Sequence, residues 1–431
     1  MRKWSVASLV VVLMLGVMLT GCGGNNGGDE GEKPKDGAAD SKKSITLNIA
    51  AWGDRYRGVL EQSIERFNEK HEHVTVNITF TPFKDYWTKM QTSIAGNNGP
   101  DILWMNGPNF MNFASLGLVE NLQPYIEKDS FDMNAYPEGI VNLYSYNDQQ
   151  YGLPYFLGPM GLYYNKEILD KHNVPYPDET WTWETVEEYG EQLTDKENQV
   201  YGYIVANSGQ AGYYPLIHQA GGFVINPERT QSGIASAETQ KALTWMKTLM
   251  DKGISPDAQS QLENNMSQMF GSGHSAMLVD GSFAYTTLSK MLGDKLGVAV
   301  LPHDVNKGYM IHGTSWVINS RSEHKDEAWE LLKILAGQEG AEISARSGIN
   351  YPAYNDAVDI WAGTMPKDHV EAFKQGLEEA VPYPISVKSS EWEKVLDQEI
   401  TDALLGKKSV QEAAESAGQR MDEIISKEKR N

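Results

Sequence analysis

Hydrophobic patterning divides the chain into three stretches. Val6 to Leu19 is a near-continuous apolar run, too short to span a bilayer comfortably. Residues 23–43 then contain no large apolar side chain; they cannot offset their own ordering entropy and are expected to form a flexible tether. From Ser44 the pattern changes abruptly. Ile45, Leu47 and Ile49 alternate as a strand that Trp52-Gly53-Asp54 breaks, and Leu60, Ile64 and Phe67 recur at helical spacing. Val74, Val76, Ile78 and Phe80 alternate with polar residues as a second strand. Phe83, Trp87, Met90 and Ile94 mark another helical face, and Gly99-Pro100-Asp101 leads into Ile102-Leu103-Trp104. This βαβ unit with a further αβ step predicts a parallel, layered α/β sheet. Ligands bind such sheets at the carboxyl ends of strands, which places Trp52 to Asp54 and Trp104 to Asn106 well.

Farther along, Tyr151 to Asn165 is rich in Gly, Pro and aromatics and poor in charge, and reads as an extended crossover between domains. A second layered region follows. Strands are expected at Tyr201–Val205, Ser275–Val279, Leu296–Leu301 and Gly313–Asn319, with helices near 213–220, 239–252 and 323–337. No repeat of fixed period is visible. Roughly 385 residues beyond the tether suggest two domains or more.

Composition narrows the function classes. Arg2 and Lys3 precede the first apolar run, and Leu19-Thr20-Gly21-Cys22 ends it. This resembles the lipobox of bacterial lipoproteins, which implies a signal peptide over 1–21, a lipid-bearing Cys22, a tether over 22–43 and a membrane-anchored protein facing outside the cytoplasm. Cys22 is the single cysteine, so no disulfide can form within the chain. Loss of residues 1–21 moves the formal charge from −21 to −23. That balance excludes an exposed nucleic-acid binder and limits membrane contact to the lipid.

The 11 Trp and 21 Tyr, many beside Gly, Pro or Asn, combine flat apolar faces with hydrogen-bonding edges and suit stacking on sugar rings. Rival chemistries lack their motifs. His71-Glu72-His73 has the wrong spacing for a helical zinc pair, and no phosphate-binding loop, calcium loop or serine nucleophile elbow occurs. No catalytic residue, metal or cofactor is expected.

Several short segments carry a specific resemblance. They are Gly99-Pro100-Asp101-Ile102; Tyr151-Gly152-Leu153-Pro154 with Leu162-Tyr163-Tyr164-Asn165-Lys166; Ala276 to Gly281 followed by Phe283; Val300-Leu301-Pro302; and Gly313-x-x-Trp316-x-Ile318. In this order the chain resembles the carbohydrate-binding extracellular solute-binding proteins of ABC importers, the family that includes maltose-binding protein. The resemblance implies a periplasmic-binding-protein-like (type II) α/β fold with two discontinuous lobes, hinge crossings and a ligand cleft between them. Lobe one would hold 44–157 and 303–375, and lobe two 158–302 and 376–425. It further implies a monomeric receptor, not an enzyme, that delivers a carbohydrate to permease subunits.

The resemblance also nominates ligand contacts, each set against plain core packing. Trp52 and Asp54 lie in a loop that bears contacts in the family, whereas Asp101 is expected to brace a turn. Asn106 is preferred over Trp104 because an amide both donates to and accepts from hydroxyls, although strand parity at Trp104-Met105-Asn106 stays open. Tyr213, with Tyr214 as the alternative, stands where the family places an aromatic from lobe two. Asp280 and Phe283 follow. The family commonly has Trp at the Phe283 position, so Phe283 keeps the stacking face and loses the N–H donor. Trp316 and Trp392 match two further cleft aromatics.

Overall fold

The structure, a computed structural model, describes residues 43–428. The expected signal segment, Cys22 and the tether up to residue 42 lie outside the described residues. Strands β1 (Ile45–Trp52), β2 (Val74–Thr81) and β3 (Ile102–Asn106) form as the alternation predicts, joined by the helices Arg57–Asn68 and Phe83–Ala95. All three run parallel, with Ile45 opposite Val74 and Ile49 opposite Ile102. A small antiparallel ladder of β4 (Ser145–Tyr146) and β5 (Gln149–Gln150) follows. The aromatic crossover resolves into β6 (Leu153–Leu157) and β7 (Met160–Asn165). Next come β8 (Met277–Gly281), β9 (Leu296–Ala299), β10 (Met310–Ile311), β11 (Gly313–Ile318), β12 (Tyr351–Pro352) and β13 (Val381–Pro382).

Six strands make the first sheet in the order β12-β6-β11-β3-β1-β2, and three make the second in the order β8-β7-β9. Within the first sheet the expectation of parallel strands holds for β1, β2 and β3, and β10 and β13 form a separate parallel pair. β11 runs antiparallel to both β3 and β6, and β7 runs antiparallel to both its neighbours. The reason is connectivity: β6 and β7 are separated only by Gly158-Pro159, so the chain passes straight from one sheet into the other. It passes back between β9 and β11. The helix Lys367–Glu378, which a lobe border at 375 cuts, lies against the second sheet, with Phe373 beside Tyr163 of β7.

One face of the first sheet buries Leu47, Ile49, Trp104 and Trp316 against Leu60, Ile64 and Phe67 of helix Arg57–Asn68 and Leu331, Leu332 and Leu335 of helix Lys325–Ala336. Each such side chain contributes about 1.5–3 kcal/mol on burial. The opposite face, through Ala50, Leu103 and Met105, meets Tyr86, Met90 and Ile94. Asp101 accepts hydrogen bonds from Asn48 N (2.8 Å) and Ser322 Oγ (2.6 Å), which ties the entry of β3 to β1.

Tyr201–Val205 is not a regular strand. Tyr201 and Ile204 make isolated bridges to Ser275 and Leu278, but the alternate donors go elsewhere. Gly202 N bonds Thr194 Oγ1, Tyr203 N bonds Ile254 O and Val205 N bonds Ser255 Oγ. These side-chain and loop acceptors stand where a second ladder would.

Candidate functional site

At the carboxyl end of β1 the chain turns through Gly53, whose φ of 73° suits glycine, into the short turn Asp54–Tyr56. Trp52 stacks on Trp104 (4.4 Å between ring centroids, 12° between planes), and Trp104 stacks on Trp316 (5.4 Å, 18°). Trp104 and Trp316 are paired across β3 and β11 and are fully buried, so the row runs from the core to half-buried Trp52 at the strand end. Trp104 Nε1 donates to Thr314 Oγ1 (2.8 Å), whereas buried Trp316 Nε1 has no acceptor.

Arg55 extends from this turn toward the second sheet. Its Nη2 donates to Tyr56 Oη (2.7 Å), and its guanidinium lies 4.8 Å from the Tyr56 ring and 6.0 Å from the Phe283 ring. Tyr56 Oη in turn donates to Asn350 Oδ1 (3.3 Å). Phe283 follows β8 in the turn Ser282–Ala284, and its half-buried ring folds over the bare backbone of Gly281 and Gly158. Asp280 accepts from Ser267 Oγ (2.5 Å) and Gly281 N (2.7 Å). Burial pushes its carboxyl up, while these two bonds and the Arg55 charge oppose the shift. Asp280 also borders a cavity of about 220 Å³ with Asn207, Ser208 and Gln261.

The Gly158 backbone connects this junction with a second group. A Cβ there would lie 3.6 Å from Phe283 and 3.3 Å from His312 Nδ1. His312 stands edge-on to Tyr383 (5.1 Å), and Tyr383 edge-on to Tyr214 (5.7 Å). The Tyr214 and Tyr383 hydroxyls bond Glu393, and the Tyr213 hydroxyl donates to Asp397. Burial, then the charge of Asp397, pushes the Glu393 carboxyl up to about 8. Burial also raises Asp397 and lowers His312 to about 4. Tyr214 and Tyr383 further line a cavity of about 420 Å³ with His218, Phe223, Arg229 and Met310.

The nominated residues therefore fall into two sets. Trp52, Asp280 and Phe283 stand at strand ends with exposed surface, and Asp54 is exposed and ion-paired with Arg57 at 2.6 Å. The others are buried. Asn106 caps the helix Gly107–Ser115, accepting from Asn109 N (3.3 Å) and Asn109 Nδ2 (2.9 Å). Tyr213 is buried against Asp397, and Trp316 lies within the indole row. Trp392 Nε1 donates to Ser386 Oγ (2.8 Å) in the core. Arg55, Tyr56, His312, Tyr383, Glu393 and Asp397 were absent from the sequence reading. Only Arg55 and Tyr56, beside Asp54, had a local cue.

Comparisons with known proteins agree with this architecture. An arabinooligosaccharide-binding protein of Bacillus subtilis (strain 168) is 23% identical over 398 residues, covering 87% of this chain and 86% of that protein. A maltodextrin-binding protein of the same organism is 22% identical over 397 residues, covering 88% and 89%. An ABC substrate-binding protein from Listeria monocytogenes, solved in complex with cycloalternan, superposes with a TM-score of 0.84 at 24% identity over 89% of this chain and 100% of that one. The model of the bacterial extracellular solute-binding protein family matches residues 53–342. This chain belongs to that family, whose members are binding proteins rather than enzymes.

Proposed function

We propose that this protein is the lipid-anchored receptor of an ABC importer, capturing an oligosaccharide between two lobes and handing it to the membrane permease. The observation that carries the reading is the approach of Arg55, at the end of β1 in the first sheet, to Phe283, at the end of β8 in the second. A ligand there touches both sheets. An aromatic face, a carboxylate and a guanidinium are the groups that stack on and hydrogen-bond a polyhydroxylated ring. The oligosaccharide-binding names of the two Bacillus relatives support the ligand class.

Lobe one comprises 44–157 and 303–375 and lobe two 158–302 and 376–425, with the packing of helix Lys367–Glu378 favouring an earlier border near 366. Ligand contacts made to both lobes only when closed shift the population toward closure, and the closed face is what a permease reads. Lipidation of Cys22 would hold this monomer outside the cytoplasmic membrane on its polar tether. A thermal-shift screen of the purified protein against mono- and oligosaccharides tests the ligand class. At 100 times its dissociation constant a ligand adds about 2.7 kcal/mol. A response to peptides or inorganic anions with none to sugars overturns the reading.

A further inference from the structure

We infer that Phe83 forms an outer subsite of this cleft that reads chain length, so that the protein selects sugars longer than a disaccharide; this rests on the carbohydrate reading above. One aromatic belongs to each of four adjacent strands of the first sheet: Trp316 on β11, Trp104 on β3, Trp52 at the end of β1 and Phe83 just beyond β2. Successive ring centroids lie 5.4, 4.4 and 5.7 Å apart. Burial falls away along this row. Trp316 and Trp104 are fully covered, Trp52 is half-buried and Phe83 is 53% exposed. Phe83 opens the helix Phe83–Ala95 at the carboxyl end of β2, the edge strand on the side away from β6 and the crossing to the second sheet. The row therefore emerges from the core at the outer rim, on the strand ends where ligands of such sheets bind.

A lone exposed phenylalanine is ordinary, but Phe83 is part of a contiguous patch. It stands edge-on to Trp52 (72° between planes) and to Trp87 (6.4 Å, 90°), and both indoles are themselves only half-buried. An aromatic patch continuous with a cleft is a surface that a ligand covers. This one is held stiffly. Trp104 takes one face of Trp52, and Tyr86 meets Trp52 edge-on at 5.1 Å. The buried Tyr86 hydroxyl lies 3.1 Å from Ala50 O and 2.9 Å from Trp104 O. Rings already fixed in place lose little freedom on binding.

The second sheet's side of the cleft carries a counterpart. Leu262, 61% exposed, lines the cavity of about 220 Å³ together with Asp280 and Met266. Exposed apolar side chains thus continue the Arg55–Phe283 approach in both directions, Phe83 by way of Trp52 and Leu262 by way of Asp280. A single sugar ring between Arg55 and Phe283 leaves both in water. A chain with one unit there, a second at Trp52 and a third over Phe83 covers the rim, and each added unit brings further apolar burial.

The test is calorimetry of the purified protein with linear malto-, cello- and arabino-oligosaccharides, each series running from the disaccharide to the hexasaccharide. In a series that binds, we expect affinity to rise beyond the disaccharide by at least about fivefold. F83A should remove that gain, bringing the longer members down to the affinity of the disaccharide, and F83W should keep it. F283A, in contrast, should weaken short and long members alike. Affinity that stays flat beyond the disaccharide, or a length gain that survives F83A, overturns the inference and leaves the carbohydrate reading standing. Silence toward every sugar overturns both. The length dependence of the unsubstituted protein is read independently of whether any variant folds.

Discussion

Phe283→Ala separates a ligand contact from a core residue. The ring is half-buried, covers the backbones of Gly158 and Gly281 and faces the Arg55 guanidinium at 6.0 Å. None of these contacts is a hydrogen bond, so truncation orphans no polar atom. The fold should lose only partial apolar coverage and one exposed cation–π contact, about 1–2 kcal/mol together. In a chain of this size that moves the melting temperature by about 1–3 °C. Binding is different, because the removed face is the one offered to a sugar ring, and its loss should cost about 1–3 kcal/mol, or about 5- to 150-fold in Kd. Calorimetry of Phe283→Ala, Phe283→Leu and Phe283→Trp reads the effect. We expect the order Trp ≥ Phe > Leu > Ala in affinity at nearly constant stability. An alanine variant that binds as tightly as the original chain, or that unfolds near room temperature, refutes the placement of this ring in the site.

Three other outcomes follow from the same geometry. Trp104→Phe should destabilise the protein by about 1–2 kcal/mol more than Trp316→Phe, because only the former leaves a bonded partner, Thr314 Oγ1, unsatisfied; urea denaturation measures the difference, and equal losses would count against it. Between about pH 7 and 8 the melting temperature should fall as pH rises. A carboxyl raised in the folded state contributes stability that is complete below its unfolded value and lost as pH climbs through the folded one, and Glu393 is held near 8. His312 acts in the opposite sense below about 6.5 and offsets Glu393 there, so E393Q should flatten the window above 6.5 and uncover a rise of stability with pH below it. Cys22→Ser should release the protein from the membrane fraction of the producing cell and abolish labelling by a radioactive fatty acid; continued membrane association without label would remove the anchor from the proposal.

The sheet strands were legible because each face has a different solvent. In β2 the odd-numbered residues Thr75, Asn77 and Thr79 are exposed while their neighbours are covered, which alternation records directly. Asn106 illustrates a readable cue outweighed by the ligand reading. Asn followed by Gly107-Pro108 is a helix-start pattern, with a capping amide and proline in the first turn, and that is the role its side chain has. Trp392 carries a similar cue, since Val395, Leu396, Ile400 and Ala403 repeat with it at helical spacing and share its burial. Local pattern cannot distinguish a core aromatic from a cleft aromatic, because both are apolar and rigid. The acid–tyrosine group was beyond reach for another reason. Tyr213, His312, Tyr383 and Glu393 are distributed over some 180 residues, and no spacing rule connects positions brought together only by hinge crossings.

Closure imposes a further constraint on how the two ends of the cleft divide the work. Shifting an open-to-closed ratio from 1:99 to 99:1 requires about 5.5 kcal/mol of differential binding. A stacking contact at Phe283 supplies about 1–3 kcal/mol of binding, not all of it specific to the closed form. Arg55 is exposed, and its attraction to Phe283 is too weak to hold the lobes together without ligand. The remainder must come from groups that are incomplete until the ligand arrives. The unpartnered atoms of Gln210, His312 and Trp316, shielded from solvent, are such groups. Of these, Trp316 lies inside the indole row and cannot meet a ligand without opening the core. His312, by contrast, stands against the same Gly158 backbone that Phe283 covers, so a ligand that engages Phe283 but not His312 should bind without closing the lobes.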